Sequence, residues 1–224
     1  MKTFQTEAIM LRRTNYGEAD RILSLLTPDR GKLSAIARSV RKSKSKLAGG
    51  LELFATCHIT ITEGRGELGI ITSARLDHFY GNLLHEYERL QLGYECIKLV
   101  NKATETVTEP EFYYLLRDTF AYLDALSVDY HIVELWFRLQ FASLLGRGLN
   151  LARDEKGNKL QPEHKYNFDF QEMAFFEHPS GRFGAEHIKL LRLAATKNPA
   201  ILRQVSGLGV VLDDCLWLVR TVDQ

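Results

Sequence analysis

The chain has 224 residues, of which 45% are hydrophobic and 25% charged, and this composition excludes a disordered or fibrous protein. The length allows one or two domains that share a core. The net charge of +1 argues by itself against a nucleic-acid partner, but residues 1–80 hold 13 Lys and Arg against 8 Asp and Glu, and the remainder holds 16 against 20. This segregation of charge indicates a polyanionic partner for the basic part.

Strand periodicity dominates residues 1–80. Apolar-rich runs separated by turn residues cover residues 6–16, 20–28, 32–39, 51–63 and 67–75. The fourth run alternates most clearly, with Cys57, Ile59 and Ile61 on one face. Gly64-Arg65-Gly66 then predicts a hairpin turn. Five short strands predict a small closed barrel such as the OB-fold, because closure removes the exposed edges of a free sheet.

Helical periodicity begins at Gly81, where apolar residues start to recur three and four apart. Four stripes are expected to face one another in a helical core: Leu83-Tyr87-Leu90-Tyr94-Ile97, Phe112-Leu115-Leu116-Thr119-Leu123, Ile132-Leu135-Trp136-Leu139-Ala142 and Leu208-Val211-Leu212-Cys215-Leu216-Val219-Val222. Residues 151–185 are polar and then aromatic, which predicts an insertion with partial strand character. The predicted fold is α+β, with an OB-fold domain at residues 1–80 and a helical domain at residues 81–224.

Several classes of protein are excluded by what the sequence lacks. Cys57, Cys96 and Cys215 have neither the spacing of a disulfide framework nor that of a zinc site, so buried, reduced thiols are expected. No apolar run approaches 18 residues and no signal-peptide pattern begins the chain, which predicts a cytoplasmic protein. Phosphate-binding glycine loops, His-Glu-x-x-His and nucleophile elbows are absent, so we expect neither an enzyme nor a cofactor.

Positive charge is densest at Arg38–Lys46, within a stretch from Arg30 to Leu51 that has no acidic residue. Cations at about every second residue suit a phosphate backbone, although a solvated lysine-rich loop has the same composition. Lys32 and Arg38 share strand parity, so both are expected on one sheet face, with Arg21 joining them. The predicted DNA contacts are Arg13, Tyr16, Arg21, Lys32, Arg38, Arg41, Lys42, Lys44 and Lys46.

Tyr16 is the candidate for stacking on a base, because it lies at a strand end near two arginines. Simple packing at the barrel rim explains the same residue. Its role therefore stays open at the level of sequence.

An ordered set of short motifs lies between Tyr16 and Phe54. The motifs are Tyr16-Gly17-Glu18, Asp20-Arg21-Ile22-Leu23, Leu26-Thr27-Pro28, Gly31-Lys32, Ala37-Arg38, Arg41-Lys42 and Ser45-Lys46-Leu47-Ala48-Gly49, followed by Leu51 and Phe54. This set resembles the N-terminal pattern of the RecO family of bacterial recombination mediators. The resemblance implies a nucleoid-associated protein of DNA repair that binds single- and double-stranded DNA and anneals complementary strands. It also implies partnership with RecR and with the C-terminal tail of single-stranded-DNA-binding protein in loading RecA.

Residues 151–185 depart from the family pattern. Many RecO proteins carry a four-cysteine zinc site there, and this segment has no cysteine. His164, His178 and His187 lack the paired spacing of zinc ligands, so no metal is expected. Aromatic residues in place of the zinc finger are expected to supply the packing, chiefly Phe168, Phe170, Phe175 and Phe176.

Two other functions fit the same sequence. The first is a protein-interaction adaptor, whose helical domain would hold an apolar groove for an acidic peptide, with Arg138 or Arg147 at its rim. The second is an RNA-binding OB-fold protein, because RNA and DNA present the same phosphate charge.

Overall fold

The computed structural model describes residues 2–64, 66, 68–105, 109–204 and 207–222. The chain forms two compact units, Met1–Ala125 and Leu126–Gln224. A five-stranded sheet and two helices make up the first unit, and the second unit holds further helices and a two-stranded sheet. The predicted α+β class, with an N-terminal five-stranded sheet followed by helices, is therefore confirmed. The domain boundary at residue 80 stays a prediction.

The strands of the first unit close into a barrel in the order β1-β2-β3-β5-β4. They are β1 (Thr3–Tyr16), β2 (Asp20–Thr27), β3 (Gly31–Ala37), β4 (Ala55–Thr62) and β5 (Gly69–Phe79). Neighbouring strands are antiparallel, except that β3 and β5 are parallel and pair only at Ala35↔Gly69 and Ile36↔Ile70. The predicted turn at Gly64-Arg65-Gly66 includes Arg65, which lies outside the described residues.

Alternating apolar side chains fill the barrel, as the period of two predicts. Its interior includes Ala8, Met10, Leu23, Leu25, Ala35, Ala37, Cys57, Ile59, Ile61 and Ile71. Burial raises the pKa of the Cys57 thiol to about 12, because a thiolate is poorly solvated there. Cys96 and Cys215 are buried as well, so the prediction of buried thiols is confirmed.

Two helices complete the first unit, α1 (Tyr87–Ala103) and α2 (Glu111–Asp124). The apolar stripe of α2 is buried as predicted. The stripe predicted for α1 is wrong at Tyr87 and Tyr94, whose side chains are 70% and 45% exposed.

An arginine and a glycine account for this error, because both lie on the buried face of α1. Arg89 donates hydrogen bonds to a carboxylate oxygen of Glu86 at 2.6 Å and to the carbonyl oxygen of Leu123 at 3.1 Å. Gly93 leaves room for the ring of Phe54, since a Cβ there would lie 2.8 Å from a ring carbon. A pattern of hydrophobic residues marks neither position as buried.

Polar contacts attach these helices to the outside of the barrel. The hydroxyl of Tyr113 in α2 donates to Oε2 of Glu7 in β1 at 3.0 Å. Burial and this carboxylate raise the pKa of Tyr113 above its ordinary value, so the phenol stays a donor. The amino group of Lys32 in β3 donates to the carbonyl oxygen of Asn101 in α1 at 2.8 Å.

The second unit contains α3 (Tyr130–Leu144), β6 (Tyr166–Asp169), β7 (Ala174–Glu177), α4 (Ala185–Thr196), α5 (Pro199–Leu202) and α6 (Gly209–Val222). The stripe of α3 is buried throughout. The stripe near the C-terminus is buried from Val211 to Val219, with Leu208 and Val222 half-buried at its ends. None of the described helices is both long enough and apolar enough to cross a membrane.

A buried carboxylate links α3 and α6. Glu134 accepts a hydrogen bond from Arg138 at 2.9 Å and two from Arg220 at 2.7 and 2.6 Å. Burial alone would raise the pKa of Glu134, but the hydrogen bonds from the two arginines outweigh it and hold the pKa below its ordinary value. Arg138 is 5% exposed, so its predicted place at the rim of a peptide groove is wrong.

Aromatic rings form the core of residues 151–185, which we call the aromatic segment. Strands β6 and β7 pair there in antiparallel register. The ring of Phe175 lies 5.0 Å from that of Phe168 and 5.6 Å from that of Phe183, centroid to centroid. Phe170 is 36% exposed and Phe176 is half-buried, so these two are less central than predicted. The fully buried rings of the segment are those of Tyr166, Phe175 and Phe183.

A short 3-10 helix, Ala48–Gly50, packs against β5. A Cβ on Gly50 would lie 2.5 Å from the carbonyl oxygen of Ala74. We expect Gly50→Ala to lower the free energy of unfolding in urea by about 1–3 kcal/mol, the usual cost of overpacking. Gly49→Ala is the matched control, because a Cβ there meets nothing within 4 Å. Equal stability of the two variants would contradict this close packing.

Candidate nucleic-acid interface

We call residues 12–16 of β1 and 20–24 of β2 the ribbon. Its β2 strand also pairs with β3, from Arg21↔Ala37 to Ser24↔Ser34. Pairing of β1 with β4 stops at Ile9, so the ribbon part of β1 pairs with β2 alone, as far as Tyr16↔Asp20. Gly17 turns the chain with φ of +55°, a conformation that favours glycine. The side chain of Tyr16 is 56% exposed beside this turn. Its ring is therefore accessible to a base.

The residues Arg38–Lys46, which we call the basic segment, follow β3 as successive tight turns. Backbone hydrogen bonds of 3.1 and 3.0 Å stabilise these turns. Val40, and Leu51 just beyond the segment, are buried in the barrel core and anchor it at both ends. Ser39 and Ser45 are half-buried, and the exposed cations are Arg38, Arg41, Lys42, Lys44 and Lys46.

Hydrogen bonds join the basic segment to the turn of the ribbon. The backbone N–H of Ser39, which has φ of +55°, donates to Oδ1 of Asp20 at 2.7 Å. The backbone N–H of Arg41 donates to the carbonyl oxygen of Ala19 at 2.9 Å, and its guanidinium donates to that of Gly17 at 3.4 Å. Two parts of the chain that are separate in sequence thus form one surface, which contains Tyr16 and the cations of the basic segment.

The cations of the basic segment form no close ion pairs with the described residues. Among the described residues, no carboxylate oxygen lies within 4.0 Å of a side-chain nitrogen of Arg38, Arg41, Lys42, Lys44 or Lys46. Exposed like charges on one surface attract anions and raise their local concentration. The arrangement can therefore bind a polyanion without first breaking ion pairs.

Lys32 lies elsewhere. Its amino group donates to Asn101 and lies 3.6 Å from Oε1 of Glu105, and its side chain is only 20% exposed. The predicted open face that would join Lys32 to Arg38 is thus covered by the C-terminal end of α1. A DNA contact by Lys32 stays a prediction, but its amine is already engaged by the chain itself.

The predicted position of Arg21 is wrong. Arg21 lies opposite Ala37 in the β2–β3 register, and therefore on the opposite face from Lys32. Its Nε donates to Oδ1 of Asn15 at 3.2 Å across the ribbon. Arg21 belongs with the ribbon residue Arg13, whose side chain is exposed.

Asp20 and Arg12 belong to this surface but were not among the predicted site residues. Asp20 positions the basic segment through Ser39, a contact between distant residues that no local pattern marks. Arg12 is exposed, and the register shift between Met10 and Arg12 determines its face. A register shift of this kind gave no signal in the sequence, because Leu11 continues the apolar run.

The aromatic segment does not fit the zinc site that the family resemblance implies. It has no cysteine, and two of its nearby histidines contact carboxylates instead. The ring of His164 lies 3.1 Å from Glu177, and that of His187 lies 3.1 Å from Asp214. Within the described ranges, no cluster of three or more His, Cys, Asp or Glu is arranged to hold a metal ion.

The first comparison with known proteins concerns the residues of the barrel. Residues 1–80 match the family described as recombination protein O N terminal. Over this part of its length the chain is similar to the RecO proteins. The matched residues include all five barrel strands, the ribbon and the basic segment. The resemblance to RecO that was recognised from the motifs between Tyr16 and Phe54 is thereby confirmed.

Three DNA repair proteins RecO illustrate the similarity. That of Dehalococcoides mccartyi strain CBDB1 is 38% identical over 122 residues, which are 54% of this chain and 48% of that protein. That of Desulfosudis oleivorans is 32% identical over 149 residues, 65% of this chain and 57% of that protein. That of Heliobacterium modesticaldum is 32% identical over 146 residues, 65% and 52% respectively. The chain spans about half the length of the curated relatives it matches.

The hydrogen bond from Ser39 to Asp20 can be tested with two variants that both remove the charge of Asp20. Asp20→Asn keeps an acceptor oxygen, whereas Asp20→Ala does not. A hydrogen bond to a charged group contributes about 1.5–3 kcal/mol, so we expect the Ser39 amide to exchange with deuterium roughly ten- to a hundredfold faster in Asp20→Ala. The exchange rate in Asp20→Asn is expected to stay closer to that of the unmodified chain. Identical rates in all three proteins would show that Asp20 does not hold the basic segment.

Proposed function

We propose that this chain is a non-enzymatic DNA-binding protein of repair and recombination, which anneals complementary strands. The observation that carries the proposal is the surface formed by the ribbon turn and the basic segment. Its cations are exposed and without carboxylate partners among the described residues. The similarity of residues 1–80 to recombination protein O supports the same function.

Annealing follows from neutralisation of phosphate charge. The cations of the basic segment bind the phosphates of both strands and lower the repulsion between them. Phosphate contacts leave the base edges free to pair, so recognition is largely independent of sequence. Tyr16 contributes by stacking, which every base accepts because every base has a π-face.

The partners are also proposals. Their support comes only from the similarity of this chain to RecO proteins. A RecR-like protein and the C-terminal tail of single-stranded-DNA-binding protein would bring the chain to coated single strands, where it helps to load the recombinase. The proposed location is the nucleoid.

The aromatic segment is proposed to replace the zinc finger of other RecO proteins with packed rings. Phe175 is completely buried and contacts the rings of Tyr166, Phe168 and Phe183. Trp217 from α6 extends the cluster, with its ring centroid 6.4 Å from that of Phe183. Apolar burial of this kind needs no metal ligand.

Charge reversal tests the proposed interface. We expect Arg41→Glu, Lys42→Glu, Lys44→Glu and Lys46→Glu together to abolish annealing of complementary strands in a fluorescence assay, because phosphate neutralisation is lost. For the unmodified chain, the logarithm of single-strand affinity should fall with the logarithm of salt concentration with a slope of about −2 to −4.

The matched control reverses four exposed lysines of the second unit, Lys156, Lys159, Lys165 and Lys197. This control is expected to retain annealing, and both proteins should keep the circular dichroism of the unmodified chain. Retained annealing after reversal of the basic segment would refute the assignment. Tighter binding of RNA than of DNA in direct competition would redirect it to RNA.

The aromatic core predicts a fold that is stable without metal. We expect Phe175→Ala to lower the free energy of unfolding by about 3–5 kcal/mol, and the half-buried Phe176→Ala to cost clearly less. A chelator should leave the melting temperature of the unmodified chain unchanged. Stoichiometric zinc in the purified protein, measured by plasma mass spectrometry, would contradict this proposal.

A further inference from the structure

One edge of β1 is unpaired where this strand extends beyond β4. Pairing with β4 covers β1 from Thr3 to Ile9, and beyond this point β1 pairs with β2 alone. Successive residues of a strand direct their backbone N–H and C=O groups to opposite sides, so every second residue from Arg12 to Tyr16 directs them away from β2. In the part of the chain that the structure describes, these outward groups have no backbone partner. We call this side of residues 12–16 the open edge.

The open edge exists because the chain that leads into β4 does not run alongside the ribbon. Strand β4 begins at Ala55, and Phe54 before it has φ of +55°, a left-handed conformation outside the range of strands. The carbonyl oxygen of Phe54 accepts a hydrogen bond from the backbone N–H of Tyr80 at 3.0 Å, which holds this turn. Residues 12–16 of β1 are all exposed, so another strand has access to the edge.

The open edge is cationic. Arg12 and Arg13 are neighbours in β1, so their side chains point to opposite faces of the strand, and both are exposed. No carboxylate oxygen of the described residues lies within 4.0 Å of either guanidinium. Strand β1 has no acidic residue beyond Glu7. An added strand with two adjacent carboxylates would therefore place one beside each arginine.

We infer that the open edge is a docking site for an extended, acidic peptide segment of a partner protein, which adds to β1 as a further strand. Main-chain hydrogen bonds supply affinity in this mode of recognition, and alternate side chains supply specificity. The peptide runs antiparallel to β1, because antiparallel pairing is the more stable per residue. Two adjacent acidic residues lie opposite Arg12 and Arg13, and a β-branched residue lies opposite Tyr16, a favourable cross-strand pair.

Other occupants fit the open edge less well. A second copy of this chain would bring its own Arg12 and Arg13 to the edge, and its residues 12–16 include no carboxylate. Single-stranded DNA matches the charge, but its backbone lacks the regular alternation of N–H donors and C=O acceptors that a strand edge pairs with. The backbone thus selects a peptide, and the arginines select an acidic one. The inference goes beyond the proposed function and does not depend on DNA binding.

Fluorescence anisotropy on the full chain tests strand addition with a labelled peptide, Val-Thr-Val-Glu-Glu, capped at both ends to remove terminal charges. Two further peptides carry N-methyl groups on alternate residues, one at the odd and one at the even positions. All three have the same charge, but only one methylated set points its N–H positions at β1. We expect that peptide to bind at least about tenfold more weakly than the parent and the other within about threefold, because hydrogen bonds to β1 are lost only in the first. Equal affinities of the two methylated peptides would overturn strand addition.

Charge reversal tests the acidic character of the partner. We expect Arg12→Glu with Arg13→Glu to weaken the Glu-Glu peptide at least about tenfold and to prefer a Lys-Lys counterpart, since like charges opposite each other are destabilising. The matched control, Lys156→Glu with Lys159→Glu, changes two exposed cations of the second unit and is expected to leave both affinities unchanged. An unchanged preference for the Glu-Glu peptide in the Arg12 and Arg13 double variant would refute an acidic partner.

Amide hydrogen exchange, followed residue by residue by NMR, locates the bound peptide. In the free chain, every second amide of residues 12–16 should exchange fast, and a saturating concentration of the parent peptide should slow this set. Protection that excludes residues 12–16 would overturn the site. The site would also fall if oligothymidine, but not the peptide, protected these amides, and the edge would then belong to the DNA-binding surface.

Discussion

The parallel contact between β3 and β5 constrains the rest of the first unit. A five-stranded barrel of this order can close only where these two strands meet, and they pair at just two positions. Beyond Ile70, the 3-10 helix Ala48–Gly50 packs against β5 instead of β3. The chain between β3 and β4 is therefore fixed at its far end by Gly50 and Leu51, and at its near end by Val40. The chain between these anchors is thereby held against the barrel, and it carries Arg41, Lys42, Lys44 and Lys46.

The barrel was predictable from sequence because its elements depend on local alternation. Cys57, Ile59 and Ile61 are buried in the barrel, as their period of two requires. The details of the site were not predictable, because they depend on contacts between distant residues. Strand parity placed Lys32 correctly on the outer face of β3 but gave no sign that α1 covers it. Arg21 was assigned to the wrong face because the register of two strands cannot be read from either strand alone.

Prediction of the helices from sequence was limited in the same way, because burial also depends on contacts between distant residues. Hydrophobic stripes identified the buried faces of α2 and α3, where burial and hydrophobicity coincide. They failed at Tyr87 and Tyr94 on α1, where buried Arg89 has hydrogen-bonding partners and buried Gly93 accommodates an aromatic ring. Glu134 and Arg138 extend this point to the second unit, since each is buried because the other is nearby. Burial of a charge is decided by its partner, and the partner is known only from the structure.

The protonation state of the buried thiols determines how the chain reacts with oxidants. Burial raises the pKa of the Cys57 and Cys215 thiols to about 12, so both are protonated at pH 8. Peroxides attack thiolates rather than thiols, so these two sites are poor targets for oxidation. The aromatic segment holds together by ring packing and contains no sulfur ligand that an oxidant could remove. Packing in the aromatic segment is therefore independent of the redox state of the cysteines.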